Sequence, residues 1–144
     1  MICSMLRGVA LVVALGSGMG AAGAVQAKTT LDALECRLSP SNAQKGWIAR
    51  EYLVARKGGG IVVADVITLT LNKGKPAEVE IVEDTEKRLT IRWRLVTSDS
   101  RGQGAIMDYR LTYLPPMGKV IVGARPGGYK NKFEARGTCK PLKG

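Results

Sequence analysis

Residues 88–97 read Arg-Leu-Thr-Ile-Arg-Trp-Arg-Leu-Val-Thr, with Leu89, Ile91, Trp93 and Leu95 on every second position. Arg88, Thr90, Arg92 and Arg94 fill the gaps. Successive side chains of a strand point to opposite faces, so this alternation predicts a half-buried strand with a tryptophan inside and arginines outside. The same period recurs along the chain. Residues 34–38 put Leu34, Cys36 and Leu38 on one face, and residues 77–83 put Val79 and Ile81 inward with Glu78 and Glu80 outward. Residues 105–114 set Met107, Tyr109, Leu111 and Tyr113 against Asp108, Arg110 and Thr112. Residues 119–125 form a short apolar strand, and residues 131–139 align Phe133, Ala135, Gly137 and Cys139.

Two segments read less cleanly. Residues 61–71 (IVVADVITLTL) are rich in Val, Ile and Thr and predict one strand throughout. Residues 47–56 fit either period, since Ile48, Tyr52 and Ala55 would share a helical face. Their short length, the glycines at 58–60 and the strand-like neighbours favour a strand.

Short turns rich in Gly, Pro and Asn separate these segments. They permit antiparallel hairpins and exclude parallel crossovers. The predicted fold is therefore all-β: an antiparallel up-and-down meander of seven or eight strands, as a small barrel or rolled sheet. A β-sandwich is the alternative. Cys36 and Cys139 both point inward by parity, on the first and last strands. Closing the meander makes those strands neighbours, and a disulfide between them would latch the barrel.

The front of the chain adds a compartment. Arg7 supplies a basic start, residues 9–15 an apolar run, and Val25-Gln26-Ala27 small residues at the −3 and −1 positions. This pattern predicts a signal peptide over residues 1–27 and one β domain over residues 28–144, periplasmic or secreted after cleavage near Ala27. Cys3 leaves with the leader, so an even pair remains for an oxidising compartment. The leader carries one of the 22 basic residues and none of the 12 acidic ones, so the net charge moves only from +10 to +9. Such an excess favours anionic partners.

Candidate chemistry is sparse. The chain has no histidine, which removes the usual general base, zinc ligand and pH switch. A disulfide would consume both remaining thiols, and no phosphate- or dinucleotide-binding motif occurs. An enzyme, a metal and a cofactor are not expected. Asp65, Glu83 and Asp84 are the carboxylates left for a two-acid mechanism. Asp65 interrupts an apolar run on the face of Val63 and Ile67. There it needs an arginine or backbone amides, or a bulge that turns it to solvent. The competing role is a ligand-orienting group inside a barrel.

What remains is the basic face. Arg88, Arg92 and Arg94 form a stripe, Arg110 extends it if its strand pairs next door, and Tyr129 stands in a Gly- and Lys-rich loop at residues 126–132. Arginines spaced this way suit phosphates and carboxylates. The expected function is an exported, non-catalytic binding module for an anionic envelope component: a lipid head group, lipopolysaccharide or acidic glycan. Nucleic acid is disfavoured, because parity turns Trp93 away from the arginines and export removes the substrate. The alternatives are a lipocalin-like carrier of a small apolar ligand, lined by Leu89, Ile91, Trp93, Met107, Tyr109 and Phe133, and a protein-binding accessory or inhibitor. The lipocalin Gly-x-Trp entry motif is absent; Gly46-Trp47 has the wrong spacing.

Overall fold

The structure is a computed structural model that describes residues 32–42, 44, 46–98, 102 and 104–142. The signal peptide predicted over residues 1–27, with cleavage near Ala27, lies outside the described residues. Nine strands and one short helix form the domain: β1 (Ala33–Leu38), β2 (Glu51–Lys57), β3 (Gly60–Ala64), α1 (Val66–Leu71), β4 (Ala77–Glu78), β5 (Glu80–Asp84), β6 (Leu89–Ser98), β7 (Gly104–Leu114), β8 (Lys119–Pro126) and β9 (Phe133–Leu142).

All nine lie in a single antiparallel sheet of order β4-β3-β2-β1-β9-β8-β7-β6-β5. Apart from β1 beside β9, every neighbour in space is a neighbour in sequence, as an up-and-down meander requires. The two ends of this order, β4 and β5, are one run of chain interrupted at Val79. Its first half pairs with β3 (Val62 opposite Glu78) and its second half with β6 (Glu80 opposite Arg92). The sheet therefore closes on itself as a nearly complete barrel of eight staves, and the sandwich is excluded.

The core is the inward parity of each stave. Leu34, Val54, Val63, Ile91, Leu111, Val120 and Val122 are all buried, with Tyr52, Trp93, Met107 and Tyr109 completing the layers. Eight strands enclose a space that side chains of this size fill. Cys36 and Cys139 are direct register partners across β1 and β9, with Cα atoms 4.0 Å apart, and their disulfide latches first strand to last. Beside it, Gly137 opposes Leu38 and Val120. A β-carbon there would fall 1.8 Å from the Arg37 carbonyl oxygen, so only glycine lets the strands approach so closely.

Three expectations are corrected. The strand predicted over residues 61–71 stops at Ala64, and residues 66–71 form α1. The cause is Asp65: its Oδ1 accepts from the amides of Ile67 and Thr68, and its Oδ2 from the Thr68 hydroxyl. An aspartate with extended backbone that satisfies the first amides is an N-cap, and it overrides the β-branched composition that follows. Residues 47–50 lie outside any strand, and only Glu51–Lys57 is strand. Ile81 is the register partner of the buried Ile91 yet stays 39% exposed, next to a register shift between Ile81 and Glu83 that marks a bulge.

Where that backbone pairing fails, an ion pair spans the seam. Arg56 of β2 and Asp84 of β5 share faces with the core residues Ile61 and Leu89, so both point inward. The guanidinium donates to both carboxylate oxygens at 2.9–3.0 Å. The opposite end of the barrel carries the longer connections. There the 39–50 loop is held down by the Tyr109 hydroxyl donating to the Trp47 carbonyl and by Trp47 stacking on Phe133 at 5.4 Å.

Candidate anion-binding face

The outward parity of β5–β9 is largely polar and arranged in rows that register fixes. One row runs Glu80, Arg92, Arg110, Gly123, Glu134 across five strands. The next runs Arg94, Asp108, Arg125. Together with Arg88, Glu78 and Lys132 these residues line a groove of about 890 Å³, within the size range of ordinary ligand sites. Gly123 shapes its floor. Lys132 lies across that glycine, with its Cε 3.4 Å from where a β-carbon would stand.

Most of the charges are paired. Arg92 donates to Glu80 at 2.8 Å, Arg94 to Asp108 at 2.8 Å, and Lys132 lies 3.3 Å from Glu134. The hydrogen bond and charge of Asp108 hold the Arg94 guanidinium above its ordinary pKa. Arg88, Arg110 and Arg125 make no ion pair among the described residues. Arg110 stands directly opposite Arg92, a placement in which like charges destabilise a sheet. Six basic and four acidic side chains line the groove, so it keeps a positive balance. These planar guanidinium groups can donate bidentately to phosphate or carboxylate oxygens.

The predicted site residues are thus partly assembled. Arg92, Arg94 and Arg110 come together on one face, and Arg88 joins them from the turn before β6. Tyr129 does not line the groove; it stands exposed in the loop between β8 and β9. Lys132, the last residue of the predicted loop, does line the groove, whereas Arg125 is an addition that the sequence reading does not include. Arg125 was legible as an outward position of its strand, whereas its register opposite Asp108 was not.

The interior offers much less room. Trp93 stacks on Tyr109 at 5.3 Å with planes 8° apart, and Tyr52 meets Trp93 edge-on at 6.2 Å. Burial first, and the nearby Asp65 carboxylate second, push the Tyr109 phenol well above its ordinary range. The same two causes lead for Tyr52. The Trp93 indole N–H has no partner among the described residues. At the other end, a cavity among Leu34, Val54, Ile61 and Leu89 admits about 10 Å³, room for roughly one water.

The carboxylates do not converge. Asp65 caps α1 at one end of the barrel, Asp84 pairs with Arg56 at the other, and Glu83 is exposed on β5. Burial raises the Asp65 pKa, and the hydrogen bonds from Thr68 and Ile67 oppose that rise. Among the described residues, no group of three or more His, Cys, Asp or Glu side chains could hold a metal ion. Comparison with known protein families, with curated proteins and with solved structures finds no match to this chain.

Proposed function

We propose that this protein is an exported binding module that holds an anionic envelope component, one bearing phosphates or carboxylates, against the outer face of β6–β8. The observation that carries the reading is Arg110. It opposes Arg92, has no ion-pair partner among the described residues, and lies in a groove that other basic residues line. A sheet that needed only solubility gains nothing from two opposed arginines, whereas an anion bridging them relieves the repulsion. The leader and the disulfide between Cys36 and Cys139 fit an oxidising compartment. The carrier alternative has less support, because Leu89, Ile91, Trp93, Met107 and Tyr109 are each 5% exposed or less and fill the barrel themselves.

Arg110→Glu tests the reading. Binding of the purified protein to lipopolysaccharide and to a soluble polyanion such as heparin is measured across a salt series. A charge-assisted contact is worth about 1.5–3 kcal/mol, so the variant should bind roughly ten- to a hundredfold more weakly, and wild-type affinity should fall with ionic strength. Unchanged affinity in the variant, or affinity indifferent to salt, rejects it.

A further inference from the structure

The same face has an apolar margin that anion recognition does not use. Val96 of β6 and Ile106 of β7 are register partners that point outward, 64% and 41% exposed. Gly127 follows at the end of β8, its amide donating to the Ile106 carbonyl at 2.7 Å, and Tyr129 stands two residues on, 68% exposed. The row Arg94, Asp108, Arg125 begins two residues back along the same strands, which is about 7 Å. Apolar side chains are therefore set one row from the arginines, with an exposed tyrosine in the adjoining loop, on a face whose neighbouring rows are rich in charge.

We propose that the outer face of β6–β8 docks on an anionic lipid bilayer, with Val96, Ile106 and Tyr129 entering the interface and Arg94, Arg110 and Arg125 meeting lipid phosphates. This deepens the anion-binding reading and rests on it. A soluble polyanion would engage the cations and leave the exposed Val96–Ile106 pair without a role. A bilayer interface takes both, because apolar groups sink to the headgroup–acyl boundary while phosphates stay a few ångströms further out. Tyrosine suits that boundary, with its ring in the apolar layer and its hydroxyl wet. Charge complementarity supplies the other half of the attraction: each cation held near an anionic surface contributes about fivefold to partitioning. Neither half alone anchors a protein stably, and their adjacency supplies two signals at once.

The test is sedimentation of the purified protein with phosphatidylcholine vesicles prepared with and without phosphatidylglycerol. Wild type should bind only the anionic vesicles. The variant Val96→Ser/Ile106→Ser/Tyr129→Ser, which keeps every charge, should lose about tenfold in vesicle affinity while binding heparin as wild type does. Vesicle binding that the triple variant retains in full overturns the proposal. So does a protein that binds heparin and ignores anionic vesicles, an outcome that leaves the anion-binding reading standing. Binding to neither overturns both, and an unchanged thermal unfolding midpoint shows that the triple variant is folded.

Discussion

Replacing both Cys36 and Cys139 by alanine isolates the covalent latch. The disulfide joins residues 103 apart in sequence. In the chain-entropy model, closing a loop of that length stabilises by about 4.7 kcal/mol through restriction of the unfolded chain. A domain of this size has a total stability of roughly 5–15 kcal/mol, so the loss takes between about three-tenths and nearly all of it. In urea, with a slope of about 2 kcal/mol per molar, the midpoint should fall by roughly 2 M. The slope itself should rise, because the uncrosslinked chain exposes more surface when it unfolds. Equilibrium urea unfolding followed by tryptophan fluorescence reads both quantities, since Trp93 is buried between Tyr52 and Tyr109. A midpoint shift under about 0.5 M, near 1 kcal/mol, would refute the reasoning. It would mean that hydrogen bonding between β1 and β9 holds the barrel closed and that the bridge adds little to a denatured chain already restricted there.

Three further outcomes follow from the core. Gly137→Ala should destabilise by more than the usual glycine-to-alanine change, by about 2 kcal/mol or more in chemical unfolding, because its β-carbon meets the backbone at Arg37; a neutral result would show that β1 and β9 can part. Arg56→Met should cost about 2–4 kcal/mol by taking the guanidinium away from the Asp84 carboxylate, whose side chain is 9% exposed. Adding Asp84→Leu should recover much of that loss, and additive losses in the double-mutant cycle would count against a coupled pair. Asp65 has a folded pKa above its unfolded value. Its protonated form is therefore favoured by folding, and the associated stability is present below the unfolded pKa and lost as pH rises through the folded one. Asp65→Asn should gain stability relative to wild type from about pH 4 upward, measured by urea unfolding at several pH values; a difference that stays flat, or moves the other way, contradicts the burial-dominated shift.

Much of this fold is written in local alternation. Residues 34–38, 88–97 and 105–114 carry it cleanly because each stave has one face in the core and one in water. Cysteine parity on the outermost strands then anticipated the latch. The helix was hidden for a physical reason: Val66-Ile67-Thr68-Leu69-Thr70-Leu71 is β-branched at most positions, and a single cap plus tertiary burial of Thr68 outweighs that preference. Asp65 was the signal, an acid breaking an apolar run, and it points to a cap as readily as to a ligand. Other features depend on register between distant strands. The Arg92–Arg110 opposition, the place of Arg125 beside Asp108 and the Arg56–Asp84 pair all need pairings that no local pattern encodes. The bulge beside the exposed Ile81 leaves no mark in composition.

The way the ring closes reverses the usual order of fraying. In most domains the chain ends loosen first. Here Ala33 pairs with Leu142, and the strands they belong to are stapled by a covalent bond. The weak joint lies in mid-sequence, at Val79, where one short run of chain leaves β3 to join β6. Amide exchange should therefore be fastest among backbone groups flanking that joint and slow at both ends of the domain. Topologically the molecule is a loop whose start is arbitrary, and a permuted chain cut near Val79, with Ala33 and Leu142 bridged by a short linker, would place its new ends where the native barrel already opens.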